Sequence, residues 1–588
     1  MTLYKFLREV ENVSNSMLKE QLEDFIYRYA TFLNEEQRES FLELLGRTAS
    51  KTEINAEIRH KEEEADIDAF LDRLRSCKSE LDLIISKGHW LNSKYNENWN
   101  DWYDDLNEEI FFSDYFGLLD DIETAIQITH ESVDYEQYTE GMMLAEKLAS
   151  LKVSVRGDLS EYETDGLNIR ELYDRDLIHI DFERFVKEAM LLEYLSNDSS
   201  SRAEGIMRII RDISSFGTAA RAIENLNDYD LTGFEQFLID LIDLIGSENN
   251  RNEIIILEKA ASLAKQAEAL IPIAAKYADT HPEIYLNVIT IGSDEPECIK
   301  MAEVGKTALD LIPVAYVVRS NVALITADNA LKCGLVDVAE MCWLEAFRSD
   351  TNVTNYLRLR QNVRNWNKFK DSVAQIINDG AVTDTSTTVI PYDIYIPKKN
   401  KITDAAHDSF LFFEGQLDKL FDASVKKNNP RYPSGYLLRG ASLFKLLIYK
   451  GDPLDQCINE IAKEAELQCS FKTDEYYSGL NVPEEERKQK VFFEIFSCWK
   501  DSVQIDNEQI TRWADACALG IEVLVKDITD NKRRHSYAYC AMLICEYGAV
   551  LQSIGKEDRH LYIDRYRSEY SRFRALTKEI TKHIETLT

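Results

Sequence analysis

Three carboxylate-x-x-His pairs are the residues of this sequence whose spacing comes nearest to a metal site. They are Asp176/His179, Asp404/His407 and Glu557/His560. Residues three apart lie on one face of a helix, and helical bundles that hold two metal ions use pairs of this kind. The same spacing often arises by chance in an acidic helical protein. We therefore predict ordinary surface or core histidines and no metal site.

Other patterns that would indicate an enzyme are incomplete. The stretch VGKTALDL at 304–311 resembles the end of a phosphate-binding loop, but position 300, where that loop needs glycine, is lysine. The sequence has no Cys-x-x-Cys pair and no Gly-x-Ser-x-Gly elbow. We predict no cofactor and no enzymatic activity. An enzyme with an unrecognised site is the third alternative for function.

A segment rich in acids and aromatic rings is the first candidate for binding. No lysine or arginine occurs between Lys94 and Lys147, and residues 95–146 contain 15 acids. Because acids steer a cationic partner and aromatic side chains anchor it, we predict a docking surface for a basic peptide or protein. The alternative is a solvated acidic face over an aromatic core. The predicted partner-binding residues are Trp99, Asp101, Trp102, Tyr103, Asp104, Asp105, Glu108 and Glu109.

The C-terminal end of the chain is basic, and we refer to it as the basic end. From 532 to 588 the sequence contains 11 Lys/Arg residues and seven Asp/Glu residues. Such an end could contact RNA, DNA or another phosphate ligand. It could equally pair with the acidic face of the same chain or with a second copy. Its predicted contact residues are Lys532, Arg533, Arg534, Arg565, Arg567, Arg572 and Arg574.

The overall composition narrows the class of protein. The chain has 588 residues and a net charge of −36, which argues against general binding to nucleic acid or to an anionic membrane. No apolar run approaches the roughly 18 residues that cross a bilayer, and the N-terminal MTLYKFLREVENV lacks the apolar core of a signal peptide. Ten cysteines are too sparse for a disulfide scaffold. We predict reduced thiols and a cytoplasmic location.

Helical periodicity dominates the elements that must carry these residues. Proline, which breaks helix interiors, is absent from 1–271. In IDFERFVKEAMLLEYL at 180–195, apolar residues recur at intervals of three and four and form one apolar face. The stretch IMRIIRDISSF at 206–216 has the same pattern. The sequence therefore predicts an all-α fold.

Small residues at recurring intervals indicate how these helices pair. Tetratricopeptide-type repeats place small residues near positions 8, 20 and 27, and a bulky one near 24. Counting Ala339 as position 20 puts Ala327 at 8, Gly334 in the turn, Trp343 at 24 and Ala346 at 27. We predict a helical hairpin with these contacts.

Two further repeats fit the pattern less regularly. Upstream, Ala260, Ala264 and Ala267 would occupy positions 20, 24 and 27, with Pro272 at the terminal proline position. Ala308 and Pro313 would occupy the last two positions of the next repeat. The spacing exceeds the usual period of about 34 residues, so we predict an irregular tetratricopeptide-like α-solenoid of helical hairpins. Unrelated amphipathic helices that share alanines are the alternative.

Breaks in periodicity divide the chain into regions. Turn-forming residues accumulate from 379 to 404, in DGAVTDTSTTVIPYDIYIPKKNKITD, and TTVIPYDIYIP at 387–397 is at most an edge strand or an extended loop. The predicted regions are an N-terminal helix-turn-helix cap at 1–50, an acidic helical region at 51–250, tetratricopeptide-like hairpins at 251–378, a linker or inserted arm at 379–404, and a helical region with the basic end at 405–588.

Four stretches together resemble a known family. They are NDWYDDLNEEIFF at 100–112, NYLRLR at 355–360, FFEGQLDKLFDA at 412–423, and the basic-end text from NKRRHSYAYC to SRFRAL at 531–576. They are similar to the helical region that follows the zinc finger in bacterial SWIM zinc-finger proteins, and to stand-alone relatives of that region. The resemblance implies a bacterial, cytoplasmic, helical-repeat protein without assigned catalytic residues. The Cys-x-Cys and Cys-x-His elements of the finger are absent, so no zinc ligand carries over.

These observations favour an interaction protein over an enzyme. A stack of helical hairpins leaves an extended wall suited to binding. We expect a non-enzymatic scaffold or adaptor that holds a protein or peptide. The alternative is a nucleic-acid-associated regulator that uses the basic end.

Overall fold

The computed structural model describes the chain as helices joined by short turns, with one small sheet. The described residues are 10, 13, 17, 19–33, 37–38, 41, 52–95, 110–158, 166–291, 297–380, 394–421, 441–451 and 456–587. The predicted all-α class is confirmed, with a three-stranded sheet as the addition. The chain divides into two compact units that meet between Lys265 and Gln266.

The first unit contains ten of the described helices and all three strands of the sheet. In chain order they are α1 Lys19–Phe32, α2 Thr52–Lys87, β1 Trp90–Tyr95, β2 Ile110–Ser113, α3 Leu118–Asp134, α4 Tyr138–Ala149, β3 Ser154–Gly157, α5 Ile169–Asp174, α6 Phe182–Ser196, α7 Arg202–Ile213, α8 Phe216–Leu226, α9 Phe234–Glu248 and α10 Ile254–Leu263.

Amphipathic faces hold these helices together. Phe185, Val186, Ala189 and Leu192 of α6 are all buried, as the apolar spacing predicts, and so are Ile206, Ile209 and Ile210 of α7. From α6 to α10, each helix contacts the next one or the next but one in sequence, so neighbouring helices bury a continuous core.

The sheet has the strand order β2-β1-β3, and β1 lies in the middle. β1 pairs antiparallel with β2, with Tyr95 opposite Ile110, and parallel with β3, with Leu91 opposite Val155. Leu91, Ser93 and Val155 are buried and share the inner face. Sequence reasoning missed these strands, because the pairing partners lie far apart along the chain.

The second unit is helical wherever regular structure is described, apart from one isolated bridge. Its helices are α11 Ala267–Lys276, α12 Glu283–Ile291, α13 Cys298–Leu311, α14 Val317–Lys332, α15 Val336–Ser349, α16 Val353–Asn362, α17 Lys370–Gly380, α18 Asp404–Phe413, α19 Ala441–Ile448, α20 Gln456–Gln468, α21 Thr473–Tyr476, α22 Val491–Asp501, α23 Asn507–Asp530, α24 Tyr537–Ser553, α25 Arg559–Glu569 and α26 Arg574–Leu587.

The hairpin predicted around Gly334 is present. α14 and α15 pack against each other, and Gly334 forms their turn with a φ of +71°, a left-handed conformation that suits glycine. Ala327, Ala339 and Ala346 are fully buried, and Trp343 is buried beside them. The indole Nε1 of Trp343 donates to the carbonyl of Gly479 at 3.0 Å. Trp343, the predicted bulky residue at position 24, therefore contacts a later loop of the same unit.

The repeat predicted at 260–272 is wrong, whereas the end of the next repeat is correct. α10 ends at Leu263, and Ala264 has the extended backbone of a helix terminus. Ala267 begins α11, and Pro272 lies inside that helix instead of after it. The next repeat ends as predicted, because α13 stops at Leu311, just before Pro313.

The interruption near 379–404 is described only in its second part. Residues 394–403 form no helix, and Tyr316 pairs with Lys399 in an isolated antiparallel bridge. The side chain of Asn400 donates to the carbonyl of Arg348 and to the hydroxyl of Thr351, and it accepts from the amide of Thr351. This part of the predicted arm packs along the α14–α15 hairpin. Residues 381–393 lie outside the described part.

The cysteines differ from the prediction at one pair. Cys298, at the start of α13, forms a disulfide with Cys333, which follows the last residue of α14. Because these helices run antiparallel as neighbours, the start of one lies beside the end of the other. The other eight cysteines are free, and all of them except Cys498 are buried.

Among the residues that the structure describes, no helix combines the length and apolar character needed to cross a bilayer.

Candidate binding surfaces

The predicted acidic-aromatic residues lie outside the described part of the chain. Trp99, Asp101, Trp102, Tyr103, Asp104, Asp105, Glu108 and Glu109 all fall within 96–109. The residues that flank this segment are described: Tyr95 ends β1, Ile110 begins β2, and the two are paired. The segment therefore leaves the sheet and returns to it at adjacent positions.

A second group of acids lies beside β2 and is fully described. It comprises Glu80 of α2, Asp114 directly after β2, and Asp120 and Asp121 in the first turn of α3. We call these four residues the acidic surface. Burial, together with the charges of Glu80, Asp114 and Asp120, raises the pKa of Asp121. These carboxylates therefore lie close enough to repel one another.

Exposed aromatic side chains border the acidic surface. Phe111 of β2 is 56% exposed and Tyr115 is 71% exposed. The ring of Phe116 stacks on His89 with 4.3 Å between ring centroids, and it contacts Trp90 edge-on. Exposed rings beside like charges have the composition of a protein-binding site, in which apolar anchors lie within a charged rim.

Some residues of the basic end lie at the same end of the C-terminal helices. α23 ends at Asp530, the turn of Lys532, Arg533 and Arg534 follows, and α24 then runs back along α23. Burial and nearby acids, among them Glu522 and Asp530 of α23, raise the pKa of Tyr570 to about 12. The turn after α25, which carries Arg572 and leads to Arg574, therefore lies at the same end of this helical group.

Three of the seven predicted basic residues are paired with acids of their own region. Arg533 pairs with Asp527 at 3.2 Å, Arg565 with Glu557 at 3.2 Å, and Arg567 with Asp564 at 3.2 Å. Lys532, Arg534, Arg572 and Arg574 are exposed. Among the seven predicted residues, these four have no ion pair within the described structure, and they lie at the two connections that flank α24 and α25.

A buried carboxylate–histidine pair was missed by sequence reasoning. His130 Nδ1 lies 2.6 Å from Glu188 Oε2, and Arg184 Nε donates to the other oxygen of Glu188 at 2.9 Å. Burial opposes ionisation of Glu188, but the hydrogen bonds from His130 and Arg184 lower its pKa overall. No sequence signal could reveal the pair, since 58 residues separate its members.

This pair lies at a cleft of about 450 Å³ in the first unit. A carboxylate that orients a histidine ring in this way also occurs in general-base pairs. The lining also includes Arg73, Thr124, His179 and Asp181. We interpret the pair as a buried charge network that joins α3 to α6.

The carboxylate-x-x-His pairs do not converge. His179 Nδ1 lies 3.5 Å from Asp176 on an exposed turn, and Glu557 pairs with Arg565 instead of His560. In the described ranges, no three histidine, cysteine or carboxylate side chains are arranged to hold a metal ion. Gly305, of the phosphate-loop-like stretch, lies inside α13, where a Cβ would collide with Thr326. This glycine serves close helix packing.

Comparison with protein-family models and with curated proteins gives no match for this chain. The resemblance to the helical region of SWIM zinc-finger proteins therefore stays a prediction.

Proposed function

We propose that the protein is a non-enzymatic interaction protein that holds a basic protein or peptide on the acidic surface of its first unit. The observation that carries this proposal is the crowding of Glu80, Asp114 and Asp120 around Asp121, which raises the pKa of that carboxyl. A cationic partner would relieve this repulsion. The exposed rings of Phe111 and Tyr115 would supply apolar contact area next to it.

The segment at 96–109 extends this proposal. This segment contains the predicted acids and aromatic residues from Trp99 to Glu109. It connects β1 to β2, the strands beside the acidic surface. Long-range attraction by such a group speeds the encounter with a basic partner, and its rings add anchoring area.

The broader setting is a helical-repeat scaffold in the cytoplasm. Sequential hairpins such as α14–α15 support a tetratricopeptide-like solenoid as the frame. Seven buried free cysteines fit a reducing compartment, whereas the Cys298–Cys333 pair is the exception to it.

A charge-reversal experiment tests the proposal. The double variant Glu80→Lys/Asp120→Lys changes two exposed acids of the acidic surface. Asp114 is left intact, because its carboxylate accepts from the amides of Phe116 and Leu119. Binding of a lysine-rich peptide of defined sequence would be measured by fluorescence anisotropy at low and moderate salt. We expect at least a tenfold loss of affinity.

The matched control makes the same charge change elsewhere in the first unit. Asp228→Lys/Asp230→Lys alters two exposed acids in the turn after α8. This variant should bind as the wild type does. An equal loss in both variants would show a response to net charge alone, and the proposed surface would then be rejected.

The second candidate function is nucleic-acid binding by the basic end. It is favoured by one observation, the position of Lys532, Arg534, Arg572 and Arg574 at two helix connections at the same end of the C-terminal helices. If this function holds, Arg572→Glu/Arg574→Glu should weaken binding of a labelled oligonucleotide and reduce its salt dependence. Arg565→Glu/Arg567→Glu, which changes residues already paired with acids, should have a smaller effect. The absence of any mobility shift at moderate salt would remove this candidate.

A further inference from the structure

One edge of the small sheet is open where the structure describes it. β2 is an outer strand of the order β2-β1-β3, and its residues pair only with β1 within the described ranges. The opposite edge is covered at its start, because Val153, directly before β3, exchanges two backbone hydrogen bonds of 2.8 Å with Leu167. A strand edge with unused amide and carbonyl groups is a template for another strand.

The two faces of β2 differ in a way that suits an added strand. Phe112 pairs with buried Ser93 and shares the inner face of the sheet, whereas Phe111 points to the outer face and is exposed. A chain added beside β2 would place alternate side chains next to Phe111. The exposed part of that ring would then gain apolar contact.

The charges at this edge select the chemistry of the added chain. Asp114 follows the last residue of β2 directly, and together with Glu80 and Asp120 it lies around Asp121. Two basic side chains also lie on the outer face of the sheet, Lys94 on β1 and Arg156 on β3. They are one and two strands away from the open edge, and the guanidinium of Arg156 stacks on Trp90 at 3.5 Å. The charge that adjoins the open strand along the chain, Asp114, is acidic, while the guanidinium of Arg175 lies over the ring of Phe112 on the inner face.

We propose that β2 accepts a basic peptide as a fourth strand of the sheet, paired through its backbone with Ile110–Ser113. This inference rests on the proposed function and specifies its partner as an extended chain with Lys or Arg beside apolar residues. Backbone pairing supplies affinity in this mode of recognition, and side-chain contacts supply specificity. The acidic surface meets the basic side chains, and Phe111 meets the apolar ones.

Three synthetic peptides separate backbone pairing from charge attraction. The first alternates lysine with valine, the second has the same side chains but a methyl group on every backbone amide, and the third replaces lysine with glutamate. Methylation removes the N–H donors that a ladder needs and keeps the charge. Affinity for the intact protein would be measured by anisotropy, and hydrogen exchange would follow the amides of Ile110–Ser113.

We expect the first peptide to bind at least tenfold more tightly than the other two and to slow amide exchange in β2. Equal binding of the methylated peptide, without added protection in β2, would overturn strand addition and leave the proposed acidic docking surface standing. If neither basic peptide binds, or if the glutamate peptide binds as tightly as the lysine peptide, the proposed function itself fails.

Discussion

Lys445 and Glu546 form an ion pair in the interior of the second unit, with 3.0 Å between Nζ and Oε2. Both side chains are almost completely inaccessible to water, and the same ammonium also contacts Glu464 at 2.8 Å. One cation is thus shared by two carboxylates, and Oε1 of Glu546 has no hydrogen-bond partner in the described structure. Burial, only partly offset by Lys445, raises the pKa of Glu546 to about 7.

This pair predicts a pH dependence that Glu546→Gln should remove. Because the folded-state pKa of about 7 lies above the usual glutamate value of 4.5, the folded protein binds the proton more tightly than the unfolded chain does. The contribution of Glu546 to the free energy of unfolding is fully present below pH 4.5 and is lost as the pH rises through 7. Between pH 5 and pH 8, the free energy of unfolding of Glu546→Gln should therefore rise by about 2 kcal/mol relative to that of the wild type. Urea unfolding at both values measures this difference.

Glu485→Gln, which changes an exposed glutamate of the same unit, serves as the control and should show no such gain. A difference between Glu546→Gln and wild type that stays constant with pH would contradict an elevated pKa at this position.

His281 should give the opposite dependence. Its ring is fully buried, stacks on Tyr395 with 5.4 Å between centroids, and has no partner for either nitrogen within the described structure. Burial lowers its pKa to about 4, so the unfolded chain takes up the proton first and stability is lost as pH falls from about 6.5 to 4. His281→Phe keeps a stacked ring. When the pH falls from 7 to 5, its free energy of unfolding should drop by about 2 kcal/mol less than that of the wild type. Equal acid sensitivity of the two proteins would show that His281 does not titrate in this way.

The sequence specified local pairing better than it specified distant partners. The hairpin at Gly334 could be predicted because Ala327, Ala339 and Trp343 stand at fixed intervals within one contiguous stretch. The repeat at 260–272 failed because alanine is favoured throughout a helix and gives no signal of the break at Ala264. Strand β2 was missed because its four residues acquire meaning only when paired with β1.

For the binding surfaces, too, the sequence reveals local composition but not the contacts between distant residues. The acids at 114–121 lie within the acid-rich stretch that the sequence reveals, but the arrival of Glu80 from α2 depends on packing between helices. Likewise, the positive charge of Arg565 and Arg567 is visible in the sequence, whereas their neutralisation by Glu557 and Asp564 needs the helices to be placed.

Shortening the side chain of Arg358 should lower the free energy of unfolding strongly. Its guanidinium is buried and has no carboxylate partner among the described residues; it donates to the carbonyls of Glu475 and Tyr476, at the end of α21, and to the side-chain oxygen of Asn355. Arg358→Met would leave the Tyr476 carbonyl in the interior without its arginine donor, at about 1–3 kcal/mol, whereas the Glu475 carbonyl would keep the amide of Ser478. Arg487→Met removes an exposed arginine that lies over Tyr477 and should cost far less. Chemical denaturation of both variants checks the order, and equal losses would contradict it.

The Cys298–Cys333 disulfide predicts a measurable contribution to stability. It closes a loop with a sequence separation of 35, and closing a loop of this size contributes about 4 kcal/mol in the chain-entropy model. Cys298→Ser/Cys333→Ser should lower the free energy of unfolding by that amount, whereas Cys498→Ser, at an exposed free thiol, should change it little. Alkylation of the denatured, unreduced protein should modify eight thiols. Modification of all ten would show that the disulfide is absent.

Gly479 and Gly334 form a matched pair for testing close packing. Both have left-handed backbones, with φ of +75° and +71°. A Cβ at Gly334 would meet open space, whereas one at Gly479 would lie 2.8 Å from the carbonyl oxygen of Leu324. Gly334→Ala should therefore cost only the left-handed strain of about 1–2 kcal/mol.

Gly479→Ala should cost roughly 1–3 kcal/mol more than Gly334→Ala, since the backbone must shift away from α14. That shift would also stretch the hydrogen bond from Trp343 to the Gly479 carbonyl. Thermal unfolding compares the two variants, and Trp343 fluorescence should change only in Gly479→Ala. Equal destabilisation would mean that this loop does not pack on the hairpin as closely as the structure shows.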